Sequence, residues 1–217
     1  VYKITRNLYK NAFGNKVLFE EINHDLSLKF TYQWNSSDQF GFIKKSTITN
    51  VGTEAVTLSL LDGIQNLLPY GVEESVQSGS INLVDAYKKC ELESDAGLGI
   101  YSLSAIIVDK AEPSEALKAN VVWSLGLKNA KKLLSSRQLN AFRKGETLIQ
   151  EEDVKAEKGA YFLHEEISLS AKEEKHWLIA ADVNQSISDI IEIKEKLKLK
   201  EDLLDQINKD IEAGSMH

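Results

Sequence analysis

The stretch Leu26–Trp34, LSLKFTYQW, alternates apolar and polar side chains along its length. A period of two is that of a β-strand, because successive side chains of a strand point to opposite faces of its sheet. The stretch therefore predicts a strand with one apolar face, made of Leu26, Leu28, Phe30, Tyr32 and Trp34.

Strand patterns dominate the chain on either side of this stretch. Phe40–Thr49 is the next predicted strand, and Asn50–Thr53 is typical of a turn in which Gly52 is free to take a positive φ. We expect Ala55–Gly63 to return as the hairpin partner of Phe40–Thr49, which gives a β-meander. Runs rich in β-branched and aromatic residues predict further strands. These runs are Ile100–Val108, Leu117–Leu127, Tyr161–Leu169 and His176–Ala181.

Two segments in the middle of the chain have helical spacing. Ser78–Leu92 places apolar residues three apart, which predicts one short helix between strands that contains Cys90. Gln138–Arg143 fits a single helical turn. The predicted fold class is therefore mainly β, a large antiparallel β-sandwich with a short inserted helix and a helical C-terminal linker.

The C-terminal tail changes to a clear helical period. Ser186 with Asp189 three residues later imitates a capping box, and a charged helix or helix pair follows. Its apolar stripe consists of Ile187, Ile190, Ile191, Leu197, Leu203, Leu204, Ile207 and Ile211. We therefore divide the chain into a β-domain, residues 1–184, and a helical linker or tail, residues 185–217. A chain that opens inside a strand and closes on such a tail is expected to be a piece of a larger protein.

The composition excludes several classes of protein. A formal net charge of −7, with Lys and Arg interleaved among acids, argues against nucleic-acid binding, which needs concentrated positive charge. No segment approaches the ~20 apolar residues of a membrane-spanning helix. Cys90 is the single cysteine, so it cannot form an intramolecular disulfide, and burial as a small apolar residue is its expected role. We expect a cytoplasmic location, or a periplasmic one if an upstream leader is missing.

Residues with catalytic chemistry do not cluster in the sequence. No phosphate-binding glycine loop or nucleophile elbow is present, and the four histidines lack metal-ligand spacing, so we predict no catalytic residues, metal or cofactor. A general acid–base pair is commonly formed by two carboxylic acids, and the candidates in this sequence are Asp62, Asp85 and Asp109. Nothing in the sequence brings two of them together, and a role in turns or at the surface is the simpler interpretation.

Aromatic and amide side chains are the better candidates for a binding site, because sugars stack on exposed aromatic rings. Trp34 precedes a polar loop and has three open roles: core packing, a domain interface or ligand stacking. Asp62–Gly71 mixes amides, an aromatic ring and turn residues, as binding loops do. The candidate carbohydrate-contacting residues are Trp34, Asp62, Gln65, Asn66 and Tyr70.

Several blocks in sequence order resemble the N-terminal β-domain of cellobiose phosphorylase-like enzymes. The blocks are Asn11–Lys16 before a strand, Phe40–Phe42, Thr47–Asn50, Ser168–Ser170, and Trp177–Ala181 before a long helix. The resemblance implies an antiparallel supersandwich related to the galactose mutarotase-like fold. In that family the catalytic acid lies in a following (α/α)6 barrel, so no catalytic residue is carried over to this chain.

If the resemblance holds, the chain is the non-catalytic N-terminal domain of a glycoside phosphorylase or hydrolase. Such a domain supports the barrel, shapes the substrate pocket and helps to form dimers, and the apolar stripe of the tail would pack on the barrel or on the sandwich. The expected partners are then the catalytic barrel, an oligosaccharide and a second copy of the chain. Two alternatives stay open: a stand-alone carbohydrate-binding β-sandwich, and a structural or assembly domain whose helix pairs with another chain.

Overall fold

The computed structural model describes residues 2–79, 81–105, 117–199 and 202–214, with the side chains of residues 74, 81 and 82 left out. Asp109, Pro113, His217 and the C-terminal part of the predicted strand Ile100–Val108 lie outside these ranges. The described strands are β1 (Ile4–Lys10), β2 (Val17–Asn23), β3 (Leu28–Ser37), β4 (Gly41–Asn50), β5 (Val56–Leu67), β6 (Lys88–Glu93), β7 (Leu98–Leu103), β8 (Ala119–Leu125), β9 (Lys131–Leu133), β10 (Asp153–Lys155), β11 (Gly159–Leu169) and β12 (Glu174–Gln185). The described helices are α1 (Glu74–Gly79), α2 (Ile81–Tyr87), α3 (Leu139–Arg143), α4 (Ile187–Leu199) and α5 (Leu203–Ala213).

Two antiparallel sheets of unequal width form the sandwich. The large sheet has nine strands in the order β1-β2-β3-β4-β12-β8-β7-β6-β10, and the small sheet has three in the order β5-β11-β9. The mainly β class predicted from the sequence is confirmed. The alternation in Leu28–Trp34 has the expected result, because Phe30, Tyr32 and Trp34 share the face of β3 that is turned toward the small sheet. Leu26 was predicted on the same face, but it lies in the turn before β3 and is 48% exposed.

The central strands of the large sheet are buried on both faces. One face meets the small sheet through a core that includes Val122, Trp177 and Ile179, each at most 3% exposed. The other face carries Trp123 and Leu178, which pack under α4 and α5. Trp123 and Trp177 are therefore core residues, as expected from their positions within strands. A smaller apolar cluster, Leu133, Leu148, Ala160 and Phe162, covers the outer face of the small sheet with help from α3.

The predicted meander is wrong at its last strand. β5 does not pair with β4; it crosses to the small sheet and pairs with β11, from Val56 opposite Leu169 to Leu67 opposite Gly159. The partner of β4 is β12, which arrives from the far end of the chain. Local alternation identifies a strand, but it carries no information on which strand supplies the hydrogen-bonding neighbour.

The predicted helix at Ser78–Leu92 is also partly wrong. Two short helices, α1 and α2, end at Tyr87, and the chain continues as β6, where Cys90 and Leu92 point into the inter-sheet core. Cys90 is 2% exposed, and burial raises the pKa of its thiol to about 12. The expected structural role of this cysteine thus holds, although its element is a strand.

The C-terminal tail is a helix pair that packs on the large sheet. Ser186 and Asp189 form the predicted cap, because the Asp189 carboxylate accepts from the Ser186 backbone N–H at 2.8 Å. Leu203, Ile207 and Ile211 recur every four residues on one face of α5 and are all buried, whereas Ile187, Ile191 and Leu204 of the predicted stripe are exposed. The chain's own sheet covers most of this stripe. None of the described helices is long and apolar enough to cross a membrane.

We predict that α5 contributes directly to the stability of the sandwich. Ile207 is fully buried between α5 and the large sheet, so Ile207→Ala leaves a cavity and lowers the free energy of unfolding by about 2–5 kcal/mol in urea titrations. The matched control is Ile191→Ala on α4, which is 54% exposed and changes stability by less than about 0.5 kcal/mol. Equal, small effects of the two substitutions would show that the tail is not an integral part of the fold.

Candidate functional site

A pocket of about 330 Å³ opens at one end of the sandwich, and we call it the rim pocket. It is formed where the ends of β3, β4, β5, β8 and β12 come together, and it contains two of the residues singled out from the sequence, Trp34 and Asn66. The other lining residues are Phe42, Ile64, Leu67, Leu68, Tyr101, Asn120, Val121, Val122, Ala181, Asp182 and Val183.

Two aromatic rings form one wall of the rim pocket. Trp34 pairs with Lys44 across β3 and β4, and Phe42 lies two residues before Lys44, so both rings project from the same face of the large sheet. Phe42 is 55% exposed and Trp34 is half-buried. The small sheet covers this face farther along but leaves these strand ends open. An apolar ligand surface can therefore reach both rings.

The opposite wall comes from the end of β5 and the loop that follows it. Asn66 has a φ of 58° and an exposed side chain. The loop is held by Asn120 of β8, whose Nδ2 donates to the Leu68 carbonyl at 2.9 Å, while its Oδ1 accepts from the Asn184 backbone N–H at 3.0 Å. Asn120 is therefore occupied in positioning the wall, whereas no described residue forms a hydrogen bond with the Asn66 side chain.

Asp182 supplies the acidic group at the rim pocket. Its Oδ1 accepts from the Val183 backbone N–H at 2.8 Å, and burial followed by the nearby charge of Asp189 raises the pKa of its carboxyl above the ordinary 3.8, against the lowering effect of that hydrogen bond. Gly41, the first residue of β4, packs against the backbone of Ala181 and Asp182 with a φ of 71°. A Cβ there would lie 2.4 Å from the Ala181 carbonyl oxygen.

Tyr70 lies beside the rim pocket rather than in its lining. Its ring is 42% exposed and has the Lys118 ammonium 5.5 Å from its centroid. Lys118 in turn donates to the Asn184 Oδ1 at 2.6 Å. Tyr70 thus belongs to the same end of the sandwich as Trp34 and Asn66, and its contact with a ligand stays a prediction.

Gln65 and Asp62 are placed away from the rim pocket. The segment Asp62–Gly71, predicted as a loop, is strand as far as Leu67, and the pairing with β11 shifts at Asn66, which lies between the paired residues Gln65 and Leu67. The Gln65 Nε2 donates to the Ser136 Oγ at 3.2 Å, outside the rim pocket. Asp62 points into the space between the sheets and is 8% exposed. The contact of Asp62 or Gln65 with a sugar stays a prediction.

Asp62 is the centre of a buried polar cluster. Its carboxylate accepts from Lys44 Nζ, from Ser46 Oγ at 2.9 Å and from Trp177 Nε1 at 2.8 Å. Lys44 also donates to the Gly63 carbonyl at 3.2 Å and lies 5.0 Å from the centroid of the Tyr32 ring. Since every donor comes from the large sheet and Asp62 comes from the small one, this cluster joins the two layers.

A second pocket, of about 300 Å³, lies between α5 and the outer face of the large sheet. Polar side chains on its wall include Thr47 and His176, whose Oγ1 and Nδ1 are 2.9 Å apart, and Lys45, which donates to the Asn208 Oδ1 at 2.6 Å. Burial lowers the pKa of Lys45, and the charge of Lys16 adds to this effect, against the raising effect of Glu212. Sequence reasoning did not single out these residues, since they come together only when α5 packs on the sheet.

Residues of the rim pocket that the sequence interpretation missed are Phe42, Asn120 and Asp182. Asp182 ends an apolar run, WLIAAD, and an acidic residue at that position is a usable signal for the point at which a strand leaves the core. Asn120 gives no such signal, because its role depends on a loop that is distant in sequence. Among the described residues, no group of three or more His, Cys, Asp or Glu side chains is placed to hold a metal ion.

Comparisons with known proteins give only remote likenesses. Neither the protein-family comparison nor the comparison with curated proteins finds a match. Among solved structures, a protein assigned as a kojibiose phosphorylase from the human microbiome is 13% identical with a TM-score of 0.44, over 97% of this chain and 24% of that one. A heparinase III gene product is 8% identical with a TM-score of 0.37, over 86% of this chain and 22% of that one. A heparan sulfate lyase mutant from Pedobacter heparinus is 8% identical with a TM-score of 0.38, over 85% of this chain and 22% of that one.

These solved structures are carbohydrate-active enzymes by their descriptions, and this chain spans less than a quarter of each. Likenesses of this size carry no argument about activity.

We predict that the Asp62 carboxylate is required for stability. Asp62→Ala leaves the Lys44 ammonium buried without its partner and lowers the free energy of unfolding in urea by about 3–5 kcal/mol. The double variant Lys44→Met/Asp62→Leu, which removes both charges, is expected to recover most of that loss. If the double variant were as unstable as Asp62→Ala, the unpaired ammonium would not be the cause.

We predict a pH dependence of stability from Asp182. The pKa of the Asp182 carboxyl is raised in the folded chain, so folding favours its protonated form. The contribution of Asp182 to the free energy of unfolding therefore falls as the pH rises from the ordinary pKa of 3.8 through the raised pKa of the folded chain. Asp182→Asn keeps the acceptor for Val183 but cannot ionise. The melting temperature of Asp182→Asn minus that of the native chain should therefore rise between pH 3 and pH 7. A difference that falls with pH would contradict the raised pKa.

Proposed function

We propose that this chain is a carbohydrate-contacting β-sandwich domain of a larger carbohydrate-active enzyme, a glycoside phosphorylase or hydrolase. In this proposal the domain is not the catalytic part; it supports a catalytic barrel, and its rim pocket forms part of the saccharide-binding surface. The observation that carries the proposal is the rim pocket, in which Trp34, Phe42 and Asn66 meet.

The chemistry of the rim pocket favours a sugar. Sugars present apolar C–H faces that pack on aromatic rings, together with hydroxyl groups that need hydrogen-bonding partners. Trp34 and Phe42 supply the rings, and the Asn66 amide supplies donors and an acceptor. Neither the Trp34 indole N–H nor the Asn66 amide is engaged by another described residue. These groups are therefore available to a ligand.

The place of the domain in a parent enzyme is supported by the resemblance to the β-domain of cellobiose phosphorylase-like enzymes. The supersandwich and galactose mutarotase-like assignments belong to this proposal as well. Leu203, Ile207 and Ile211 of the apolar stripe are already covered by the sandwich, so a barrel would meet other surfaces. Ile187 and Ile191, 68% and 54% exposed on α4, are apolar positions open to such a contact.

The second candidate is a stand-alone carbohydrate-binding module. It is favoured by the side chains of Trp34 and Asn66 in the rim pocket, whose hydrogen-bonding groups are not engaged by other described residues. The two candidates differ in whether the isolated chain binds sugar on its own or only contributes contacts inside a larger enzyme. A dimer through α4 is a third possibility that sedimentation measurements would reveal.

Calorimetric titration of the chain with gluco-oligosaccharides, with and without phosphate, tests the rim pocket. We expect saturable binding, with Trp34→Ala weakening it at least about tenfold, the equivalent of ~1.4 kcal/mol. The matched control is Tyr9→Ala, an exposed aromatic residue on the opposite face of the large sheet, which leaves the affinity unchanged.

Each result bears on one candidate. Binding that Trp34→Ala weakens and Tyr9→Ala does not supports the stand-alone module and locates its site. No heat with any sugar overturns the stand-alone module. The role within a larger enzyme is then tested by Trp34→Ala in the full parent protein, where an unchanged KM would count against it.

A further inference from the structure

The large sheet has more described strands than the small sheet, so part of one face of the large sheet has no described strand of the small sheet opposite it. β1, β2 and β3 extend beyond β5, which is the outermost strand of the small sheet. On the face turned toward the small sheet, Phe19 of β2 lies opposite Tyr32 of β3, and Phe30 lies opposite the core residue Ile48 of β4. We call Phe19, Phe30 and Tyr32 the aromatic ledge. All three are half-buried.

The protection of β5 as an edge strand, on the side that faces the aromatic ledge, is limited to one inward-pointing charge, Asp62. β5 is 12 residues long, VTLSLLDGIQNL, and contains no Lys, Arg, Glu or Pro. Its only charge, Asp62, is buried in the polar cluster. By contrast, both outer strands of the large sheet carry exposed charges, Arg6 and Lys10 on β1 and Asp153 and Lys155 on β10. Edge strands without charges, prolines or cover are sites at which another strand can pair.

The ledge suits aliphatic side chains better than a sugar. The Phe19 and Tyr32 rings stack on each other with centroids 4.7 Å apart and planes 12° apart. The Lys44 ammonium is 5.0 Å from the centroid of the Tyr32 ring. Both faces of the Tyr32 ring therefore have neighbours and one face of Phe19 is engaged, which favours aliphatic side chains packed beside the rings over a sugar stacked on them.

A strand added beside β5 would continue an interface that already exists. Val56 and Leu58 of β5, together with Phe30, already pack on the margin of the inter-sheet core. A neighbouring strand lies ~4.8 Å away in a sheet, so its inward side chains would extend that core over the ledge. Its backbone would pair with the N–H and C=O groups that β5 turns away from β11.

We propose that the open edge of β5 and the aromatic ledge form a docking site for one extended polypeptide strand with apolar residues at alternate positions. The strand adds to the small sheet as its fourth member and covers Phe19 and Tyr32. This mode of recognition, β-strand addition, draws affinity from backbone pairing and specificity from alternate side chains. The site is separate from the proposed sugar contact, which uses the open end of the sandwich.

A synthetic peptide with the sequence of Gly159–Leu169 tests the site, because it is the strand that β5 already accepts on its other edge. Binding is measured by fluorescence anisotropy of the labelled peptide and mapped by amide chemical-shift changes. We expect the changes on β5 and at Phe19 and Tyr32. Phe19→Lys places a charge on the ledge and should weaken binding at least about tenfold.

The matched control is Leu18→Lys, one residue away on the opposite face of β2, which should leave binding within about twofold of the native chain. Melting curves of both variants check that they fold. Absence of binding at millimolar peptide, shifts confined to other strands, or equal effects of the two substitutions would overturn the proposal. Concentration-dependent self-association that Phe19→Lys abolishes would assign the edge to a second copy and overturn the peptide assignment.

Discussion

The carboxylate of Asp62 is the constraint on which the arrangement of the two sheets depends. It is buried between them and accepts from Lys44, Ser46 and Trp177, three donors on two neighbouring strands of the large sheet. A buried charge is tolerated only where its hydrogen-bonding capacity is satisfied. β5 is therefore restricted to positions over β4 and β12 in which Asp62 reaches its donors. Apolar packing alone would allow the small sheet to slide. The polar cluster sets the register between the layers.

The rim pocket follows from that register. With Asp62 fixed over Lys44, Ile64 and Asn66 reach the end of the sandwich, where Trp34 and Phe42 project from the large sheet. In the structure Asp62 therefore positions β5, and its contact with a sugar stays a prediction. A shift of β5 by one residue would exchange its two faces and remove Asp62 from the interior.

Much of the fold was predictable from local patterns, and the rest depends on pairing over long distances. The alternation in Leu28–Trp34 and the cap at Ser186 were interpreted correctly, because strand faces and helix ends are set by neighbouring residues. The partner of β4 was not, because β12 lies more than a hundred residues further on. Cys90 was assigned to a helix because its three-residue spacing from Tyr87 continues the helical period by coincidence across the boundary between α2 and β6.

The same distinction explains the candidate site. Trp34 and Asn66 were found because an aromatic ring before a polar loop and an amide at a strand end are visible in the sequence. Gln65 was grouped with Asn66 on the assumption of a loop, whereas Gln65 is paired with Ala160 of β11 and Asn66 lies at a shift in the pairing register. Asn120 could not be found at all, because its amide matters only once β8 lies beside the Leu68 carbonyl.

Both proposed binding surfaces arise from one property of the sandwich, namely that nine strands face three. Where the small sheet ends along the strand direction, side chains at the strand ends open into the rim pocket. Where it ends across the strands, at β5, the inward face of β2 and β3 becomes the aromatic ledge. The two surfaces differ in chemistry. In the rim pocket, Trp34 and Asn66 keep hydrogen-bonding groups that no described residue uses. At the aromatic ledge, Phe19 and Tyr32 stack on each other, so the polar contacts of a ligand would be made mainly with the backbone of β5. A sandwich of two equally wide sheets would bury the ledge, and the unequal widths of these sheets therefore make it available to a partner.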